Sequence, residues 1–219
     1  MKKILVSSLL LILPVLAFAQ NELARIEREL GDSVVYVLPA FQKGKVIFKN
    51  GEFATGDLNI SIVDQSLRFK DEGGQILSVD DNSSVDRVTI GPMLFLHLGK
   101  DYAGVVDSGE EVILCLVRKL EFKRDEKTGA FGMKSETTNI TRIGSMYDNG
   151  NIYDINLEAG YKIREIPVLV RKGRQFAFNR KSLEKLFPDK KAVLAEYLQS
   201  NNVDFESAQD AAALFSVLK

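Results

Sequence analysis

The chain changes its hydrophobic rhythm several times, and each change marks an element. Ile4 to Leu16 is a nearly unbroken apolar run, relieved only by Ser7, Ser8 and Pro14. From Asn21 to Leu30, Leu23, Ile26 and Leu30 recur at helical spacing, and Gly31 follows as a stop. Between Ser33 and Phe122 the pattern shortens to strand-like runs broken by turn residues. These runs are Val34–Leu38, Lys45–Phe48, Glu52–Thr55, Asp57–Val63, Ser66–Phe69, Gln75–Val79, Val85–Ile90, Met93–Leu98, Tyr102–Val106 and Glu111–Phe122. Asn50-Gly51 between two of them is a strong hairpin signal, because both residues tolerate positive φ. Asp71-Glu72-Gly73-Gly74, Gly91-Pro92 and Asp107-Ser108-Gly109 punctuate the rest.

Lys123 to Gly150 is polar and has little period. A connection that long in a compact domain predicts a functional or a mobile loop. Strands resume at Asn151–Leu157, Lys162–Arg171 and Gln175–Phe178. The last forty residues turn helical. Lys181–Phe187 is stopped by Pro188, a second helix capped by Asp189 runs to Ser200, and a third is capped by Asp204. The pattern thus predicts an α+β chain, mainly β. An antiparallel meander forms a small barrel or a strongly curled sheet. A short helix over 20–32 precedes a β-body over 33–178 with its polar loop at 123–150, and a helical segment over 179–219 packs on that body.

Met1-Lys2-Lys3 before the first apolar run and Ala17-Phe18-Ala19 after it complete the pattern of a secretory signal peptide over 1–19, cut between Ala19 and Gln20. The run is shorter than the roughly 20 residues a helix needs to span a bilayer. No Cys lies near the cut, so the expected protein is exported, periplasmic or extracellular, without a lipid anchor or an integral membrane span. Losing two Lys with the signal makes the formal charge more negative than the −1 given by 29 basic and 30 acidic side chains. A weakly acidic chain lacks the broad positive field of nucleic-acid binding.

Candidate chemistry is sparse. The single His, His97, has no catalytic motif around it, and one His per chain excludes a multi-histidine metal site. The single Cys, Cys115, sits in Val112-Ile113-Leu114-Cys115-Leu116-Val117 and reads as a small core hydrophobe. Asp80, Asn82, Ser84 and Asp86 alternate as oxygen ligands do in a calcium loop. Val85 stands where such a loop needs Gly, however, and Gly91 where it needs a bidentate Glu. No nucleophile elbow or phosphate-cradling Gly loop is present. No catalytic residue and no cofactor is therefore assigned.

Residues 41–60, from Phe41-Gln42-Lys43-Gly44 through Leu58-Asn59-Ile60, together with Val88-Thr89-Ile90-Gly91, Leu186-Phe187-Pro188-Asp189-Lys190-Lys191 and Asn202-Val203-Asp204-Phe205, resemble an uncharacterised family of secreted envelope proteins of Bacteroidota. The resemblance implies a fold and an address, and no site residues. Asp32-Ser33-Val34 resembles the acceptor tripeptide of Bacteroidota O-glycosylation, which would place a glycan at Ser33. The leading expectation is a non-catalytic binding or structural module whose partner is another envelope protein or a surface glycan. The alternatives are a barrel that binds a small molecule or lipid, and a hydrolase working through paired carboxylates.

Overall fold

A computed structural model describes residues 23–79, 81–123, 140–142 and 160–219. Residues 23–30 form helix α1, and Gly31, at φ 74°, ends it. The β-branched run Val34–Leu38 is not the expected strand. The N–H groups of Val34 and Val35 both turn back to Gly31 O, so Asp32–Val35 is one helical turn, α2. Tyr36 alone makes a ladder contact, with Ser61.

The sheet strands are β1 Gln42–Phe48, β2 Phe53–Ser61, β3 Ser66–Lys70, β4 Ile76–Ser78, β5 Val85–Ile90, β6 Met93–Leu98, β7 Asp101–Ser108, β8 Ile113–Lys123, β9 Ile140–Arg142, β10 Tyr161–Arg171 and β11 Arg174–Ala177. All pairings are antiparallel, in the order β11-β10-β8-β7-β6-β5-β1-β2-β3-β4, with β9 beside β8 off this path. The two expected strands Glu52–Thr55 and Asp57–Val63 are one continuous β2. Gly56, which reads as punctuation, lies in the ladder directly opposite Gly44 of β1. The polar segment at 123–150 contributes β9; its other residues beyond Lys123, and the expected strand Asn151–Leu157, lie outside the described residues.

The strand path has two ends, β4 and β11, so the sheet is curled and not a closed barrel. Its curl brings the β2–β3 turn back onto β7 and β8. There Leu120 N donates to Ile62 O (3.4 Å), Gln65 Nε2 to Arg118 O (2.8 Å), and Tyr102 N to Gln65 Oε1 (3.3 Å). Register shifts at Ile47/Phe48 and Val105/Asp107 add local twist. Gly44 permits a close approach of backbones, since a Cβ there would lie 2.4 Å from Thr89 O and 2.8 Å from Leu58 Cδ1.

Inside the curl, Val46, Leu58, Ile60, Leu67, Val88 and Phe95 form one buried cluster. A second lies between β8–β10 and the C-terminal helices α3 Arg180–Leu186, α4 Lys191–Ser200 and α5 Ala208–Leu218. Ala211, Leu214, Phe215 and Leu218 make the inward stripe of α5 at helical spacing. Two expected caps move. Asp189 lies in a 3₁₀ turn, Pro188–Lys190, ahead of α4, and Ser207 rather than Asp204 caps α5, its Oγ accepting from Asp210 N at 3.2 Å. Asp204 caps the preceding bend through Glu206 N (2.9 Å). A third cluster packs α1 and α2, through Ile26 and Val35, on Ile62 and Leu120. Among the described residues, no helix is long and apolar enough to cross a membrane.

Candidate functional site

The curled sheet opens where two hairpins part company. β1 pairs with β2 from Gln42↔Leu58 to Ile47↔Phe53, whereas β3 pairs with β2 only from Ser61↔Ser66 to Asp57↔Lys70. Past Lys70 the chain turns away. Asp71 organises that turn: its N–H donates to Gln75 O (3.0 Å), and its carboxylate accepts from Gln75 N (2.8 Å). Phe53, Ala54, Thr55 and Gly56 are thus bordered by β1 on one edge and, among the described residues, by no strand on the other.

Backbone groups alternate direction along a strand. Glu52 O, Ile60 O and Ile62 N all bond on the β1 side of β2. The odd-numbered residues therefore aim the other way, and Phe53 and Thr55 direct their N–H and C=O groups at the open edge. Beside that edge lies a groove of about 760 Å³ whose walls include Val46, Phe48, Leu58, Phe69, Leu77 and Val79. Its floor is the cluster that fills the curl, so the groove is apolar at depth.

The other long open edge is different. β11 covers only Val168–Arg171 of β10, which leaves Tyr161–Pro167 without a second strand among the described residues. That stretch carries Lys162, Arg164, Glu165 and Pro167, the charges and missing N–H by which exposed edges resist pairing. Phe53-Ala54-Thr55-Gly56 carries no charge and no proline.

A polar cluster stands on the opposite face of β3. Arg68 is buried under α1, and its Nη2 donates to both Glu27 Oε1 and Asp64 Oδ2 at 2.9 Å. Its Nη1 reaches the hydroxyls of Ser66 and Ser78. Burial pushes the Glu27 carboxyl above its ordinary range, and Asp64 adds to that, while Arg68 opposes it. Glu27 and Asp64 are the kind of converging carboxylates that a hydrolase reading asks for. Here both are held on one buried guanidinium instead of flanking a bond in an open cleft.

The residues singled out in the sequence fall elsewhere. His97 is buried on β6, with Nδ1 3.2 Å from Val85 O and its ring 4.7 Å from that of Tyr102. Desolvation holds its pKa below the usual imidazole value. Cys115 is fully buried on β8, where burial pushes its thiol up to about 12. In the calcium candidate, Asp80 lies outside the described residues. Asn82 Oδ1 accepts from Leu67 N (3.0 Å) and Tyr102 OH (2.9 Å), Ser84 Oγ donates to Asp81 O (2.7 Å), and Asp86 pairs with Arg87 (2.7 Å). Among the described residues, no group of three or more His, Cys, Asp or Glu side chains could hold a metal. Ser33 is exposed on α2. Ala19 and Gln20 lie outside the described residues.

Sequence reasoning missed Asn59 and Arg68. Asn59 is wholly buried and replaces a strand. Its Oδ1 accepts from Leu38 N (3.1 Å) and Ile60 N (2.9 Å), and its Nδ2 donates to Leu38 O (2.9 Å). Compared with known proteins, the chain matches no family model, no curated protein and no solved structure.

Proposed function

We propose that this chain is a non-catalytic binding module of the cell envelope, and that it takes an extended peptide segment of a partner protein as an added strand on β2. The observation that carries this reading is the uncharged open edge at Phe53–Gly56 beside an apolar groove. An extended segment there gains main-chain hydrogen bonds from Phe53 and Thr55, while alternate side chains enter the groove; this is the logic of strand addition. The envelope address rests on the signal-like residues 1–19 and on the resemblance described above. The barrel-carrier alternative is weaker, because the interior of the curl is filled by its own side chains.

The test is fluorescence anisotropy of the full chain with a labelled octapeptide of alternating Val and Thr as probe. Thr55→Pro removes an outward N–H and leaves the β1 ladder intact. It is expected to weaken probe binding by about ten-fold, the worth of a hydrogen bond with its local geometry, without changing the circular dichroism spectrum. Equal binding by wild type and variant, or none by the wild type, would remove β2 as the site.

A further inference from the structure

The Arg68 cluster holds one cation and two anions. Asp64 and Arg68 belong to the same hairpin, four residues apart, and pair without any help from α1. Glu27 arrives on α1 and brings a second carboxylate to the same nitrogen. The site is secluded: the Arg68 side chain is 7% exposed, Asp64 15% and Glu27 21%. Two carboxylates sharing one buried guanidinium leave a surplus negative charge, and like charges out of water favour protonation of one of them.

We infer that docking of α1 takes up a proton at the Glu27 carboxyl, which shares the buried Arg68 guanidinium with Asp64, so that the helix seats more firmly as the medium turns acidic. This goes beyond the strand-addition reading and does not depend on it. The other elements around Glu27 supply nothing to neutralise the surplus. Ser61 donates a hydrogen bond (3.2 Å), Tyr36 keeps its phenol proton, and Asp32 of α2 adds a further negative charge near Tyr36. β8 and β10 meet α1 through the apolar Leu120 and Ile163. The raised pKa of Glu27 agrees in sign. A carboxyl that holds its proton more tightly when docked stabilises docking below its ordinary value of 4.5, and this gain is lost as pH rises through the docked value. A simple ion-pair latch has the opposite sign and loosens in acid.

Native-state hydrogen exchange of the Ile26–Leu30 amides in the full chain, corrected for intrinsic rates, reads the opening of α1 directly. From about pH 7.5 down to the ordinary carboxyl value of 4.5 the protection is expected to rise with acidity, by at most about ten-fold per pH unit for one proton. Glu27→Gln and, independently, Asp64→Asn are each expected to flatten this dependence. Protection that is flat or falls with acidity in the wild type overturns the inference. So does an unchanged slope in whichever variant folds.

Discussion

Asn59 shows how one side chain can stand in for missing backbone. Between Leu38 and Gln42 the chain bulges away from β2, and the carboxamide makes the bonds a ladder would have made. Asn59→Ala strands a buried N–H and a buried C=O of Leu38. It is expected to cost about 2–6 kcal/mol, since each of the two orphaned groups costs about 1–3; urea denaturation of the two proteins measures it. The same burial means that the Asn-Ile-Ser sequon at Asn59 presents no accessible amide in the folded chain. Burial of Cys115 was legible in the sequence because it sits in an unbroken apolar run, Val112 to Val117. That of Asn59 and Arg68 was not. Polar residues in an alternating run read as the solvent face, and only the later placement of α1 and of residues 36–38 over that face covers them.

At the scale of the element, the turns were the most legible feature, because glycine at positive φ leaves a mark in sequence. Gly51, Gly74 and Gly91 sit at φ 89°, 80° and 54° where hairpin turns were read. β5 and β6 match their expected bounds residue for residue. Gly56 misled because it lies inside the β1–β2 ladder, opposite Gly44, and not in a turn, and Gly44 is a glycine of close approach. Gly44→Ala is expected to destabilise the chain by about 1–3 kcal/mol, the usual cost of forcing an extra methyl into a packed site. The added Cβ would press on Thr89 O, a backbone atom of β5 that cannot swing aside. A shift of the urea midpoint with an unchanged slope would check this; no shift would mean that β1 and β5 part easily. The one-turn helix α2 was illegible, since the β-branched Val34 and Val35 favour a strand and only the chain reversal at Gly31 overrides them.

For the whole molecule, the curled sheet and the helical tail follow from the pattern, whereas closure does not. Whether a meander closes depends on the pairing of its first and last strands, which leaves no local trace. Global stability carries a second proton linkage, distinct from that of α1. His97 has a depressed pKa in the folded chain, so below its ordinary value of 6.5 the unfolded chain binds more protons. Stability is expected to be complete above about 6.5 and to be lost as pH falls from there towards the folded value. His97→Gln should flatten that slope in thermal melts between about pH 7.5 and about pH 5, and an unchanged slope would assign it to other groups. The central position of β1 has a further consequence. β1 holds β2 on one edge and β5 on the other, so its ladder with β5 is a seam between β1–β4 with the Arg68 cluster and the meander running on from β5. Chain neighbours can zip the meander by short loops, but the seam must wait for an excursion of some forty residues to return. The half that carries the open edge is therefore the half whose attachment forms late: its ladder to β5, the bonds of Ile62 and Gln65 to β7 and β8, and the buried cluster the two halves share all wait for that return.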